Sequence, residues 1–147
     1  MRCRILFAVV SLLVPILTAG QSHFLASPED TRKAAEAIVA SVAAGNHAVA
    51  FKELRPLSVI QSTDFDVFEA QINSQQANLL RQFGTATGYE FIREDKLGTR
   101  LLRQEFLVFH EKAPLRWRFV FYKAEKGWVL PHFYFDGNAL TFFGAGG

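Results

Sequence analysis

Three polar residues in the second half of this 147-residue chain have side chains that could act on a small molecule: Tyr89, Gln104 and His110. Histidine exchanges protons near neutral pH, and tyrosine and glutamine side chains donate and accept hydrogen bonds. An isomerase would also need a carboxylate base beside them, and only Glu90 has a register ambiguous enough to supply one. Two interpretations stay open: a polar ligand pocket with Trp117 as one wall, or core and rim residues without chemistry.

Metal, thiol and serine-nucleophile chemistry have weaker support. The four histidines are isolated, and the sequence has neither a His-Glu-x-x-His pattern nor a pair of cysteines that would suit a metal ion. Cys3 is the one cysteine, and no Gly-x-Ser-x-Gly sequence marks a nucleophilic serine. We therefore expect no catalytic set of these kinds, no metal site and no cofactor.

The first half of the chain has the apolar spacing of helices, and these must position the residues above. Ser27 followed by Pro28 and Asp30 predicts a helix start, with Ser27 as the N-cap and Asp30 completing a capping box. Gly45 is placed to end this helix. Asn46 is placed to cap a second helix, which Pro56 stops after Leu54.

A third, longer helix is expected from the Thr63-Asp64-Phe65-Asp66 capping signature to the residue before Gly84. Its apolar residues fall near one face, except where the polar residues Gln75 and Gln76 interrupt the stripe. These two amides either reach solvent at the edge of the stripe or line a pocket.

The second half of the chain is typical of an antiparallel meander. Alternating patterns and turn residues predict four strands, at 89–95, 100–112, 116–124 and 128–135. Helices followed by such a sheet are an α+β plan, so we expect three N-terminal helices packed on one face of a curved four-stranded antiparallel sheet.

The register of the last hairpin decides which residues share a face. A three-residue loop ending in Gly127 would pair Ala124 with Trp128. Counting outward places Phe119 opposite Phe133 on an aromatic face that suits the helices. For the middle hairpin, the turn at 113–114 predicts Glu111 opposite Arg116, in a charge ladder with Asp136.

The other sheet face is the strongest indication of a binding partner. Contiguous exposed aromatic side chains usually mark a protein interface, and a second copy, the Phe142-Phe143 tail or another partner could cover this face. The residues predicted to form the interface are Phe109, Tyr122, Trp128, Leu130, His132 and Tyr134, with Leu107 beside them.

Four segments of the sheet half resemble a known superfamily: 88–94, 115–123, 127–128 and 133–136. They are similar to small exported bacterial proteins that resemble the nuclear transport factor 2-like (NTF2-like, cystatin-like) superfamily, and the resemblance covers residues 34–136. It implies a cone in which a bent sheet wraps a long helix and leaves a pocket at the open end. The superfamily includes isomerases, dehydratases and polyketide cyclases as well as binding and dimerising modules, so the resemblance implies a fold more than an activity.

The start of the chain has the order of a secretory signal peptide. Arg2 and Arg4 precede an apolar run from Ile5 to Leu17, and small residues follow at 18–20. The run is shorter than the roughly 20 residues that a bilayer span needs, so we expect cleavage and no membrane anchor afterwards. We predict a signal peptide at 1–20, one domain at 21–138, a flexible glycine-rich tail at 139–147, and a periplasmic or secreted location.

Cleavage would also leave a neutral protein. The chain has 16 basic and 14 acidic side chains, and losing Arg2 and Arg4 leaves 14 of each. Neutrality disfavours a nucleic-acid partner, although residues 91–147 hold nine basic and six acidic side chains against five and eight in residues 21–90. We expect a non-enzymatic homodimer that holds a small apolar ligand; the alternative is an isomerase or cyclase using the pocket near His110.

Overall fold

The computed structural model describes residues 23–143, which form three helices followed by an open four-stranded antiparallel sheet. The predicted α+β class is confirmed. The predicted signal peptide lies outside the described residues, as do residues 144–147 of the predicted tail. In chain order the elements are α1 (Pro28–Ala43), α2 (His47–Leu54), α3 (Ser62–Phe83), β1 (Ala86–Leu97), β2 (Leu101–His110), β3 (Leu115–Ala124), β4 (Gly127–Asp136) and a 3₁₀ turn (Ala139–Thr141).

Helix α1 begins as its sequence predicts. The Ser27 hydroxyl accepts a hydrogen bond from the Asp30 backbone N–H at 3.1 Å, and the Asp30 carboxylate accepts one from the Ser27 backbone N–H at 3.1 Å. This capping box satisfies two N–H groups that the first helical turn would leave unpaired. The predicted inward stripe of α1 is buried and contributes Ala35, Ile38, Val39 and Val42 to the core.

The starts of α2 and α3 differ from the prediction in their caps. Asn46 does precede α2, but its side chain makes no capping hydrogen bond. Helix α3 begins at Ser62, one residue before the predicted Thr63 cap, with Gln61 at the N-cap position. Thr63 therefore lies inside the helix, and the prediction that it caps α3 is wrong. The predicted end before Gly84 is confirmed.

Helix α3 is held firmly at its two ends. Near the start, Arg55 Nη2 lies 2.7 Å from the Asp66 carboxylate and 2.9 Å from the Glu69 carboxylate. At the other end, Phe83 is buried, and its carbonyl accepts a hydrogen bond from the Lys112 backbone N–H at 2.9 Å. Residues between these anchors are partly or wholly exposed, so the middle of α3 spans the space between α1, α2 and the sheet.

The strands lie in the order β1-β2-β3-β4, so β1 and β4 are the edges. The face toward the helices is the predicted aromatic face, where Phe106 lies opposite Trp117 and Phe119 opposite Phe133. Phe106 and Phe119 are fully buried in the core. Burial of such rings contributes most to stability, at roughly 25 cal/mol per Å² of apolar surface.

A bulge in β4 changes the face of two residues that sequence alternation placed on the outer side. The turn pairs Ala124 with Gly127 instead of Trp128, and an extra residue at Leu130-Pro131 restores the predicted register beyond it. Trp128 and Leu130 therefore lie on the helix side, 3% and 0% exposed, and pack in the core. Their predicted place in the exposed interface is wrong.

The middle hairpin is shifted by four residues from the prediction. Arg116 lies opposite Leu107, and Glu111 leaves the ladder to accept a hydrogen bond from the Thr85 backbone N–H at 2.9 Å. An even shift preserves the faces, so Phe106 still faces the helices. The predicted pairing of Arg116 with Asp136 is confirmed at 3.0 Å, and the predicted pairing with Glu111 is wrong.

Candidate functional site

A cavity of about 150 Å³ lies between the three helices and the end of the sheet where β2 stops and β3 begins. Its walls are mostly aliphatic and aromatic, and its few polar groups come from four separate elements. Its wall includes His47 of α2, Ile72 and Gln76 of α3, His110 of β2, and Trp117 of β3.

The aliphatic wall follows from the inward stripes of α1 and α2. Ile38 and Val42 lie one helical turn apart on α1, and Ala50 and Leu54 are similarly spaced on α2, so each pair faces one side. All four are buried, and they leave the opposite wall to α3. The middle of α3 contributes Ile72 and Leu79, two members of its predicted apolar stripe.

His110 lies at the last position of β2 and lines the cavity as predicted. Its Nδ1 is 3.2 Å from the backbone carbonyl of Val108, a contact that favours a proton on Nδ1. In the neutral ring Nε2 then carries the lone pair and can accept a hydrogen bond. The ring packs on Phe83, with centroids 6.1 Å apart, so the anchored end of α3 limits its movement.

His47 is a cavity residue that the sequence interpretation missed. It is the first residue of α2 and follows the turn at Gly45, whose φ of 76° is left-handed and favours glycine. Burial lowers the pKa of His47 below its usual value, and the nearby His110 lowers this pKa further. Both effects disfavour the imidazolium form, so His47 is a neutral hydrogen-bonding group near neutral pH.

Trp117 contributes an aromatic ring to the cavity wall. Its ring stacks on Phe135, with centroids 4.8 Å apart and planes inclined by 21°. The indole Nε1 is buried and has no hydrogen-bond partner within residues 23–143. A buried donor without an acceptor is costly, so this N–H is a group that a bound acceptor would satisfy.

Gln76 also lines the cavity, although the one hydrogen bond that its amide makes within residues 23–143 is exposed. Its Nε2 donates to Asn73 Oδ1 at 3.2 Å. Gln75 is exposed and does not line the cavity. Among the residues that line it, none is an aspartate or a glutamate. The cavity is therefore an apolar space with uncharged polar groups at its wall.

Two residues of the predicted pocket lie elsewhere. Gln104 is fully buried beneath α1, where its Nε2 donates to Thr31 Oγ1 and to Glu94 Oε2, both at 3.0 Å. Tyr89 lies opposite Val108 and is 37% exposed, outside the cavity wall. The structure thus brings His110 together with Trp117 and separates both from Gln104 and Tyr89. Glu90 lies opposite Leu107, on the outer face.

The outer face of the sheet carries the remaining predicted interface residues. Phe109, Tyr122 and Tyr134 are 37%, 39% and 42% exposed, and His132 is exposed beside them. The 3₁₀ turn after β4 reaches only one corner of this face, where the Thr141 carbonyl accepts a hydrogen bond from Arg116 Nη1 at 3.0 Å. Over the described residues, the tail therefore leaves the three aromatic side chains uncovered.

Between these aromatic residues runs a row of ion pairs that crosses the strands. Arg118 Nε lies 2.8 Å from Glu105 Oε2, and Arg118 Nη1 donates to Tyr134 Oη at 2.8 Å. Arg93 approaches the same Glu105 carboxylate at 3.5 Å. Burial opposes the charge on Arg118, but the hydrogen bonds to Tyr134 and Glu105 outweigh it and raise the pKa of the guanidinium.

A second, shallower depression of about 340 Å³ lies at the β1–β2 hairpin. Asp95 and Arg103, which line it, pair with each other at 2.9 Å. Leu97 at its rim is 75% exposed, so this depression is a feature of the open surface and not an enclosed site.

Searches for other site types within residues 23–143 give two findings. No group of three or more histidine, cysteine, aspartate or glutamate residues could hold a metal ion there. In the same part of the chain, no helix combines the length and the apolar character needed to cross a membrane.

Comparison of the chain with protein-family models, with curated proteins and with solved structures finds no match.

Proposed function

We propose that this protein is an exported binding domain that takes one small apolar molecule into the cavity between α3 and the sheet. The observation that carries the proposal is the cavity itself, because a concave, mostly apolar space with a few polar groups at its wall is the usual form of a small-molecule site. Well-packed cores leave few voids larger than a water molecule, so a space of about 150 Å³ indicates a binding role.

The size of the cavity limits the ligand. A protein cavity of roughly 150 Å³ that is lined by apolar side chains can hold one benzene ring. The ligand would therefore be about the size of a single aromatic ring or a short branched alkyl chain. The way in would be past the middle of α3, since Ile72 and Gln76 form that wall and lie between the two anchored ends.

The proposed superfamily is NTF2-like, with a cone formed by α3 and the bent sheet. Two features support it: the order of three helices before a four-stranded meander, and a cavity beneath the longest helix. The proposed periplasmic or secreted location is supported by the charged, apolar and small-residue order of residues 1–20.

Calorimetric titration with toluene tests the ligand proposal. The unmodified protein should bind toluene with a saturable heat, and Ile72→Phe should abolish binding because the larger ring fills the cavity. Val67→Phe is the matched control, since Val67 lies on the same helix, is 68% exposed and is not part of the wall. Absence of saturable binding, or equal loss in both variants, would contradict the proposal.

The proposed function includes dimerisation of two copies through the outer sheet face. A second copy fits this face because its charges balance, so the same patch on two copies can meet in an isologous contact without net repulsion. The face carries four carboxylates and four arginines: Glu90, Asp95, Glu105, Asp136, Arg93, Arg103, Arg116 and Arg118. The exposed rings of Phe109, Tyr122 and Tyr134 would supply the apolar contact.

Sedimentation velocity tests the dimer. Phe109→Glu should convert it to a monomer, whereas Val67→Glu, on the opposite side of the sheet, should leave the dimer intact. A monomeric unmodified protein, or a dimer that survives Phe109→Glu together with Tyr122→Glu, would overturn this part of the proposal.

The alternative is a small-molecule isomerase or cyclase that uses the same cavity. One observation favours it: His47, which is kept neutral by burial, lies in the wall and could act as a base. The absence of aspartate and glutamate from the wall removes the usual carboxylate base and makes binding the better-supported function. The enzyme alternative would be favoured if the protein exchanges the α-hydrogens of a ketone for deuterium and His47→Gln abolishes this exchange.

A further inference from the structure

The polar groups in the cavity wall specify the chemistry of the ligand further than its size does. We infer that the ligand carries a hydroxyl group on its ring, as a phenol does, and that this hydroxyl accepts a hydrogen bond from Trp117 Nε1 and donates one to a neutral imidazole of the His110 and His47 pair. The inference rests on the proposed function, because it concerns the occupant of the same cavity.

The donor side of the argument is the indole of Trp117. The residue is 8% exposed and lines the cavity, and its Nε1 is buried without a partner among the described residues. Indole nitrogen can only donate, so a ligand that satisfies it must bring an acceptor. A purely apolar ligand would leave Trp117 Nε1 without an acceptor, so this group would add nothing to the binding free energy of such a ligand.

The acceptor side of the argument is the histidine pair. The Val108 carbonyl at 3.2 Å holds the proton on Nδ1 of His110, which leaves the lone pair on Nε2. His47 adds a second imidazole whose neutral form is favoured by burial. Each neutral imidazole presents one acceptor nitrogen, so a ligand that can donate as well as accept is favoured over one that can only accept.

A hydroxyl is the smallest group that meets both requirements, since it donates once and accepts at its lone pairs. A carboxylate fits less well, for two reasons. It would need a cation in the wall, and none of the described residues that line the cavity is a lysine or an arginine. Burial, and to a lesser extent the nearby His110, lowers the pKa of His47, which disfavours an imidazolium ion at His47 as a partner for the carboxylate. A single aromatic ring with one hydroxyl matches the volume and the wall together.

The test compares phenol with toluene, which differ by a hydroxyl in place of a methyl group of similar size. Calorimetry on the full chain should give phenol the tighter binding by about tenfold, since a site built to hydrogen-bond a hydroxyl rejects the analogue without it. Trp117→Phe should weaken phenol binding about tenfold and leave toluene binding within about twofold. Trp128→Phe is the matched control, because Trp128 is equally buried but does not line the cavity. It should change neither affinity.

A second measurement keeps the inference testable if Trp117→Phe does not fold. In the ¹H–¹⁵N NMR spectrum of the unmodified protein, the indole N–H resonance of Trp117 should move downfield with phenol and much less with toluene; Trp128→Phe assigns the two indole signals. If toluene binds at least as tightly as phenol, or the Trp117 signal does not respond to phenol, the hydroxyl inference is wrong and the proposed function survives. If neither compound binds, both fail.

Discussion

At the scale of single residues, the buried ionisable groups on the outer sheet face are the most consequential for stability. Glu105 is 2% exposed, and its carboxylate faces both Arg118 and Arg93. A buried guanidinium that loses its carboxylate partner keeps the full cost of its desolvation. Replacing one charged residue of this row by an uncharged one should therefore lower the free energy of unfolding substantially.

We predict that Glu105→Gln lowers the free energy of unfolding by about 3 kcal/mol, because it leaves Arg118 buried without a counter-charge. Urea denaturation measures this. Asp66→Asn is the matched control, since the Asp66 carboxylate also pairs with an arginine but is 64% exposed, and it should cost roughly 0–1 kcal/mol. Equal costs for the two substitutions would show that the buried row contributes no more than a surface ion pair.

A pH prediction follows from His47. Its pKa in the folded protein lies below the ordinary value of 6.5, so the unfolded chain binds protons more readily than the folded protein does. Stability should therefore fall as the pH drops below 6.5 toward the folded pKa. Thermal unfolding of His47→Gln should show a smaller loss over this range, whereas Ala48→Gln should show the loss of the unmodified protein. An unchanged acid profile in His47→Gln would contradict the role given to burial.

The sequence predicts residue roles well where the cause is local and poorly where it is tertiary. The Ser27 capping box was predictable because both partners lie within three residues of each other. His47 and His110 are far apart in the chain, and only the packing of α2 against the end of the sheet brings them to one cavity. Gln104 likewise follows strand alternation, but its buried partner Thr31 comes from α1.

At the scale of elements, the junction between α3 and β1 fixes one wall of the cavity. Gly84 ends α3 with a φ of 80°, and a Cβ at this position would meet Glu111 Oε2 at 2.6 Å. The Glu111 carboxylate is not free to move away, since it accepts a hydrogen bond from the Thr85 backbone N–H. Both the backbone conformation and the close approach therefore require glycine at this junction.

We predict that Gly84→Ala lowers the free energy of unfolding by about 1–3 kcal/mol, the usual cost of holding a side-chain-bearing residue in such a conformation. Gly88→Ala is the control, because nothing lies within 4 Å of its added Cβ and its φ is not in the left-handed region. It should change stability by no more than about 0.5 kcal/mol. Denaturation curves for the two variants that coincide would contradict the assignment of strain to Gly84.

The helices and strands themselves were largely predictable, and the errors in predicting them have physical causes. Hydrophobic periodicity gave the three helices and four strands, because each element buries one face. The β4 bulge defeated simple alternation and moved Trp128 and Leu130 to the core. Pro131 was the available signal, since proline in a strand commonly marks a bulge or an edge.

At the scale of the whole molecule, the arginine–carboxylate pairs of the sheet form within the basic half of the chain, so the charge difference between the two halves remains. Arginines of the basic half pair with carboxylates of the same half, at Arg103–Asp95, Arg116–Asp136 and Arg118–Glu105. The cavity lies apart from these pairs. Among the described residues that form its wall, none is an aspartate or a glutamate. The molecule thus has these three ion pairs on one face of the sheet and its apolar space on the other.

Methyl NMR during a toluene titration shows whether toluene binds in the cavity beneath α3. The methyl signals of Ile38 and Ile72, which line the cavity, should shift saturably, while those of Val67 and Val59 should not, because these are exposed and lie outside the wall. Ring-current shifts confined to the cavity methyl groups would support the account. Saturable shifts confined to surface methyl groups, or no saturable shift at Ile38 and Ile72, would contradict it.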